Sequence, residues 1–106
     1  MNPVFEPYYA VIFTSTHKEK TEGYAEMALK MEKLATKQKG FMGIDSAKTN
    51  LGITNSYWAS LEDIKNWKQQ TDHLLAQQKG KTDWYSWYHV RICKVEREYE
   101  FNAAIN

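Results

Sequence analysis

The segment NSYWASLEDIKNWKQQTDHLLAQ (residues 55–77) has the pattern of a strand that runs into a helix. The strand part ends at Trp58, and Ser60 follows as a residue type that commonly caps helices. Asp63 stands three residues later, in a pattern close to a capping box. Apolar residues then recur at helical spacing through Trp67 and beyond. The segment therefore predicts a strand, a tight connection and a capped helix.

Upstream of this segment, the sequence predicts another strand and another helix. YYAVIFTST (residues 8–16) is rich in β-branched and aromatic residues, which favour strands. From about Thr21 to Gln38, apolar residues recur every three or four positions while charged residues fill the opposite side. Gly40 is expected to end this helix, because glycine readily adopts the left-handed conformation of a helix cap.

Two further regions complete the predicted sheet. FMGIDSAKT (residues 41–49) and ITNSYW (residues 53–58) flank NLG, where Gly52 permits a positive φ, so these segments are expected to form a hairpin. WYSWYHVRICKVEREYEF (residues 84–101) reads as a long final strand. No single alternation fits all of it, which indicates a bulge or a change of partner.

The resulting order, β-α-β-β-α-β, predicts one ferredoxin-like α+β domain over residues 1–106, with both helices on one face of an antiparallel sheet. The first and final strands are apolar on both sides. Two helices cover only one face of a sheet, so the other face needs another cover. We therefore expect a homodimer in which two sheets pack face to face as a dimeric α+β barrel.

Composition excludes several classes of function. The 106 residues carry 14 Lys and Arg against 13 Asp and Glu, which argues against binding to nucleic acid. The longest apolar run, YYAVIF, is too short to cross a membrane, and the start of the chain lacks the pattern of a secretory signal, so we expect a cytoplasmic protein. A single cysteine, Cys93, excludes an internal disulfide. The three histidines lack the spacing of a metal site, so no metal is expected.

The order of elements, the SYWASLEDIKNWK connection and the WYSWYHVRICKVEREYEF ending resemble the antibiotic biosynthesis monooxygenase family of dimeric α+β barrels. The resemblance runs from about Tyr8 to Phe101, and it is strongest to a small bacterial branch of that family. The residues that carry it are Gly40, Phe41, Gly43, Ile44, Gly52, Ile53, Tyr57, Trp58, Trp67, Lys68, His73, Ala76, Gln77, Trp84, Tyr85, Tyr88, Arg91, Val95, Glu96 and Arg97.

The resemblance implies a monooxygenase. Quinone-forming members bind a polycyclic phenol whose deprotonated form reacts with O₂ without metal or flavin, whereas haem-degrading members hold haem with an Asn, a Trp and an axial His. Trp67 matches the Trp of the haem enzymes, but Gln77 stands where their axial His falls, and the predicted strand of residues 8–16 contains no Asn. Haem is therefore disfavoured as a cofactor, and none is expected. In the quinone-forming pattern Trp58 matches a pocket Trp, while Thr54 and Ile64 replace an Asn and a Tyr.

The candidate site residues follow from this pattern. Trp58 and His73 are the candidate catalytic residues, and Trp67, Ser56, Thr54 and Arg91 are the candidate substrate-binding residues. Alternation along the strand places Thr54, Ser56 and Trp58 under the helices. Both tryptophans are also interpretable as ordinary core packing.

His73 reaches the pocket only if the second helix breaks. Along an unbroken helix, about 100° per residue would put His73 opposite Ile64, in solvent. Thr71 or Asp72 would be suitable caps for a new short helix that turns His73 inward. There its imidazole, which titrates near neutral pH, is a candidate base for a phenolic proton.

Arg91 lies within an apolar strand, where an unpaired guanidinium is costly. It is therefore expected to meet either an anionic ligand or a carboxylate such as Glu96 or Glu98 of a second chain. The leading hypothesis is a cofactor-independent monooxygenase acting on an aromatic or polyketide-like small molecule. A haem-degrading enzyme with altered ligands and a non-catalytic binding or stress-response module are the alternatives.

Overall fold

The computed structural model describes residues 4–104. Four antiparallel strands form one sheet in the order β2-β3-β1-β4, and the helices follow β1 and β3 along the chain. The elements are β1 (Tyr8–His17), α1 (Tyr24–Ala35), β2 (Phe41–Lys48), β3 (Gly52–Trp58), α2 (Leu61–Gln69), α3 (Thr71–Lys79) and β4 (Tyr85–Val95), with a π-helical turn (Gly80–Trp84) before β4. The predicted ferredoxin-like α+β fold is confirmed.

Helix α1 is shorter than its apolar pattern predicts, because a left-handed glycine precedes it. Gly23 occupies the N-cap position with a φ of 83°, so the helix begins at Tyr24 and not at Thr21. At the other end, Gly40 has the left-handed conformation that the sequence indicated, also with a φ of 83°. Its carbonyl accepts a hydrogen bond of 2.8 Å from the amide of Ala59, which joins the start of β2 to the end of β3.

The β2–β3 hairpin forms as predicted, but its turn differs from the expectation. Gly52 does not have a positive φ, and it is already paired with Lys48 and Ser15 in the sheet. The connecting residues are closed instead by a hydrogen bond of 3.0 Å from the Thr49 amide to the Leu51 carbonyl. The positive φ of the hairpin is found at Gly43, beside a register shift in β2.

The final strand is also shorter than predicted. It begins at Tyr85, after the π-helical turn, and ends at Val95, so residues 96–101 are not part of the sheet. The predicted bulge is present, because the pairing with β1 shifts between Thr16 and His17. Trp84, the last residue of the π-helical turn, is fixed by a hydrogen bond of 2.8 Å from its indole N–H to the Glu22 carbonyl.

The second predicted helix is divided in two at Gln70. This residue has extended backbone angles, and its side-chain oxygen accepts a hydrogen bond of 2.9 Å from the amide of His73. Gln70 is thus the cap of α3, in place of Thr71 or Asp72; the side chain of Thr71 is outside the described part of the chain. Ser60 caps α2 as predicted, accepting from the Asp63 amide at 3.0 Å.

The sheet has two chemically different faces. The inner face, which the helices cover, carries alternate residues of the central strands, including Val11, Phe13, Ser56 and Trp58. The outer face carries the intervening residues, including Ile12 of β1 and Asn55 of β3. Among residues 4–104, no helix has the length and apolar character needed to cross a membrane.

Gly40→Ala is expected to destabilise the protein more than Gly23→Ala does. Both glycines have a φ of 83°, so each substitution bears the left-handed penalty of about 1–2 kcal/mol. A methyl group on Gly40 would also overlap the carboxyl group of the buried Asp63, whereas one on Gly23 meets its nearest neighbour, Trp84, at 3.7 Å. Urea unfolding of both variants measures the difference, expected to be about 1–3 kcal/mol. Equal destabilisation would contradict the role of Asp63.

Candidate functional site

A cavity of about 600 Å³ lies between the inner face of the sheet and the helices. Its walls come from all four strands and from α1, α2 and α3, so the fold encloses it on several sides. The apolar part of the lining includes Val11, Phe13, Met27, Met31, Ile64, Val90 and Ile92. A volume of this size is typical of a site for a small organic molecule.

Trp58 lies beneath one end of this cavity. Its side chain is 0% exposed, and its indole N–H donates to the Ser56 hydroxyl at 2.9 Å. Phe41 meets the ring edge to face at 5.5 Å between centroids, and Trp67 stacks on it at 5.9 Å. Trp58 also lines the cavity, but its buried side chain offers a ligand almost no exposed surface. The geometry favours a supporting role for Trp58, and its catalytic role stays a prediction.

Trp67 and His73 form the exposed end of the same stack. Their rings lie 4.2 Å apart between centroids and within 13° of parallel. This contact exists because the chain breaks at Gln70, which starts α3 in a new direction and turns His73 back over α2. The inward orientation that His73 required is thus present, and both side chains line the cavity.

The hydrogen bonds of His73 determine which ring nitrogen carries the proton. Nδ1 lies 2.9 Å from the carbonyl oxygen of Trp67, which only accepts, so Nδ1 is the protonated donor of a neutral ring. The Gln77 amide nitrogen is 3.4 Å from the same atom, but it donates to the Lys68 carbonyl at 2.9 Å. The lone pair of His73 is consequently on Nε2, the atom free to accept a proton from a ligand.

Burial favours this neutral form. Desolvation lowers the pKa of His73 below its usual 6.5, and the charge of Lys68 acts in the same direction, while the hydrogen bond to Trp67 opposes both. The ring is therefore neutral at pH 7, and its Nε2 is available as a base.

A second polar group lies at the opposite end of β3. The Lys48 ammonium donates to Nδ1 of His17 at 2.7 Å, and it also lies 5.3 Å from the ring centroid of Tyr24. His17 packs edge to face on Tyr24 at 4.3 Å, and Tyr85 is next to both. Burial and the neighbouring Tyr24 hydroxyl raise the pKa of Tyr85. All four side chains line the cavity.

Sequence reasoning missed this second group, because its members come from four elements and share no motif. A detectable signal was the position of Lys48 on the helix-facing side of β2, two residues after Ser46. Among the predicted binding residues, Thr54, Ser56 and Trp67 do line the cavity.

Arg91 does not belong to this site. It pairs with Ile12 of β1, which places it on the outer face, between two residues that face inward, Val90 and Ile92. The side chain is exposed there. The prediction that Arg91 binds the substrate beside Trp67 is therefore wrong in its geometry: strict alternation along β4 directs its side chain away from the cavity.

Comparison with solved structures identifies the class of fold. A candidate antibiotic biosynthesis monooxygenase from Nitrosomonas europaea superposes with a TM-score of 0.72 at 16% identity, over 89% of this chain and 96% of that chain. SnoaB from Streptomyces nogalater, a cofactor-independent oxygenase, gives 0.74 at 8% identity, over 86% and 95% of the two chains. The chain thus has the ferredoxin-like α+β fold of the antibiotic biosynthesis monooxygenase-like proteins, as its sequence resemblance indicated.

Sequence comparison gives a narrower assignment. The chain is 44% identical over 102 residues to the uncharacterised protein YqjZ of Bacillus subtilis, covering 94% of this chain and 90% of that protein. It belongs to the same family as YqjZ. No protein-family model matches the sequence.

Acidification is expected to destabilise the protein partly through His73. Because its pKa is lower in the folded state than the usual 6.5, the unfolded state binds protons first as the pH falls. Stability is therefore full above pH 6.5 and decreases as the pH falls from 6.5 towards the folded pKa. His73→Gln should lose less stability over this range, as measured by urea unfolding at several pH values.

The matched control is Asn66→Gln, because Asn66 does not titrate, is exposed on α2 and does not line the cavity. This control should retain the pH dependence of the wild type. A His73 resonance that titrates at or above pH 6.5 in the folded protein would contradict the environment described for it.

Proposed function

We propose that the protein is a cofactor-independent monooxygenase that oxidises an aromatic, polyketide-like small molecule. The observation that carries the proposal is the break at Gln70, which brings His73 onto Trp67 at the wall of a largely apolar cavity between the sheet and the helices. The fold shared with SnoaB, which is a cofactor-independent oxygenase, supports the reaction class. A flat substrate would lie against Trp67, with Thr54 and Ser56 as polar neighbours from β3.

The proposed oxidation needs from the protein a base and an apolar pocket that holds the substrate. Nε2 of His73 would accept the acidic proton of a phenol or anthrone, leaving an electron-rich anion that O₂ oxidises. For an anthrone, one oxygen atom becomes the new carbonyl oxygen. The other leaves as water with the two hydrogens of the oxidised methylene group. The hydrogen bond from Nδ1 to the Trp67 carbonyl would hold the imidazole in the reactive tautomer throughout.

Haem degradation receives less support from these residues. Gln77 replaces the axial His of the haem enzymes, and its amide is engaged with the Lys68 carbonyl. His73 is the only imidazole near Trp67 among residues 4–104, and it approaches from an earlier turn of the chain. The residues present do not fit the haem pattern, and the proposed reaction has no step that involves haem.

His73→Phe should reduce the rate of oxygen uptake with hydroxylated anthrones by about 100-fold or more, a typical value for loss of a general base. Phenylalanine keeps a flat ring over Trp67, so the variant removes the base while it preserves the stack. Oxygen consumption with an electrode, corrected for autoxidation of the anthrone, measures the effect.

Leu75→Phe, on the exposed side of α3 and outside the cavity lining, serves as the control and should retain the wild-type rate. Oxygen uptake by His73→Phe at the wild-type rate would contradict the role of His73. The absence of uptake by the wild type across anthrones and flavonols would favour the non-catalytic binding role.

We also propose that the protein is a homodimer through the outer face of the sheet. That face exposes Trp87, at 47%, together with Ile53 and Cys93. It also holds the side-chain oxygen of Asn55, which is buried without a hydrogen-bond partner among the described residues. An apolar face with an unpaired buried acceptor is typical of a surface that another chain covers.

Ile12→Lys is expected to convert the dimer to a monomer. Ile12 lies at the centre of the outer face, between Asn55 of β3 and Arg91 of β4, where a lysine ammonium beside the Arg91 guanidinium would be buried without a partner. Analytical ultracentrifugation at micromolar concentration measures the mass. Leu29→Lys, on the exposed side of α1, is the control and should stay dimeric. A monomeric, folded wild type would refute the proposal.

A further inference from the structure

The charged residues that line the cavity are mostly positive. Three lysines, Lys48, Lys68 and Lys81, contribute to the lining, against a single carboxylate, that of Glu32, among the residues described there. The chain as a whole is nearly neutral, with 14 basic and 13 acidic residues. The excess of positive charge is therefore a local property of the cavity, and it favours an anionic ligand.

Lys48 and His17 present this charge in a defined geometry. The ammonium of Lys48 donates to Nδ1 of His17, which must accept, so the proton of the neutral imidazole is on Nε2. Burial and the charge of Lys48 lower the pKa of His17, consistent with that neutral form. The pair thus has two kinds of donor available to one ligand: the remaining N–H groups of Lys48 and the Nε2–H of His17. Neither residue has a carboxylate partner among residues 4–104.

We propose that this pair binds a carboxylate, or a chemically similar anionic group, on the small molecule that occupies the cavity. A charge-assisted hydrogen bond from an ammonium to a carboxylate is stronger than one between neutral groups, and a second donor fixes the orientation of the anion. The aromatic rings of Tyr24 and Tyr85 beside the pair shield it from water on one side.

The position of the pair determines how such a ligand lies. Lys48 is paired with Gly52 at the start of β3, whereas the Trp58 stack that supports His73 is at its end. Six residue steps along a strand span about 20 Å. The anionic group and the reacting ring would therefore be at opposite ends of an elongated ligand, with its apolar body along Phe13 and Met31. The placement of the reacting ring rests on the proposed function. The binding of the anionic group does not, and it is measured separately.

The test compares two ligands of the same shape. 2-Naphthoate and 2-naphthamide differ in charge but have the same apolar body, and isothermal titration calorimetry at pH 7.5 gives the affinity of each. The wild type is expected to prefer the carboxylate by about tenfold, the effect of one charge-assisted hydrogen bond. Lys48→Met should abolish the preference, and Lys48→Arg should largely keep it.

Lys65→Met is the matched control, because Lys65 is exposed on α2 and does not line the cavity. It should retain the wild-type preference. Equal binding of both ligands by the wild type, or an unchanged preference in Lys48→Met, would overturn the assignment of the anion site while leaving the proposed oxygenase standing. Failure of 2-naphthoate to bind at millimolar concentration would overturn it as well. Oxygen uptake with uncharged anthrones tests the oxygenase separately.

Discussion

The buried indole of Trp58 is the contact on which the helical layer depends. It is wholly excluded from solvent, it is fixed by a hydrogen bond to Ser56, and it touches Phe41 on one side and Trp67 on another. These contacts join β2, β3 and α2 around one side chain. Because Trp67 is held by Trp58 and His73 is held by Trp67, the position of the candidate base is determined by the packing of the core.

The same contacts explain how a thin core can support an enclosed cavity. Few apolar side chains of residues 4–104 are buried: they are Ala10, Ala35, Trp58, Ile64 and Trp84, of which Trp58 is fully excluded from solvent. Much of the space between the sheet and the helices is cavity. The helices are therefore held in place by contacts at the edges of the cavity, and not by a filled apolar interior. Aromatic stacks are suited to this purpose, since a flat ring covers a large area and keeps its orientation with few neighbours. Each end of the cavity has such a group: the tryptophans at one end, Tyr24 and Tyr85 at the other.

Local signals in the sequence predicted most of the fold. Ser60 as a cap, Gly40 in a left-handed conformation and the inward direction of Thr54, Ser56 and Trp58 each depend on short-range stereochemistry. The sequence indicates that His73 reaches the cavity only if the second helix breaks, but it does not predict the break at Gln70. Glutamine is not a common cap, and Gln70 acts through one side-chain hydrogen bond to His73. Gly52 was assigned the wrong conformation, since a glycine beside a turn need not be the residue with positive φ.

The candidate site was only partly predictable. The stack of Trp67 and His73 lies within one continuous segment, which periodicity and family resemblance can address. The pair of His17 and Lys48 is 31 residues apart in sequence and meets through the hairpin register and the end of β1. The sequence favours Arg91 as a ligand-binding cation because it interrupts an apolar strand, yet the alternation of that strand places Arg91 on the outer face of the sheet. The positive residues that line the cavity are Lys48, Lys68 and Lys81, and Arg91 is not among them.

Helix α3 has a composition that sets it apart from the rest of the helical layer. Leu74 and Leu75 are both exposed, and apart from the His73 ring on Trp67 the helix is tied to α2 by polar contacts, from His73 to the Trp67 carbonyl and from Gln77 to the Lys68 carbonyl. An element that buries little apolar surface opens at a lower free energy than the sheet does. Amide hydrogens of α3 should accordingly exchange with solvent before those of β1 and β3. The segment that carries the candidate base is thus one that can open locally while the sheet stays paired.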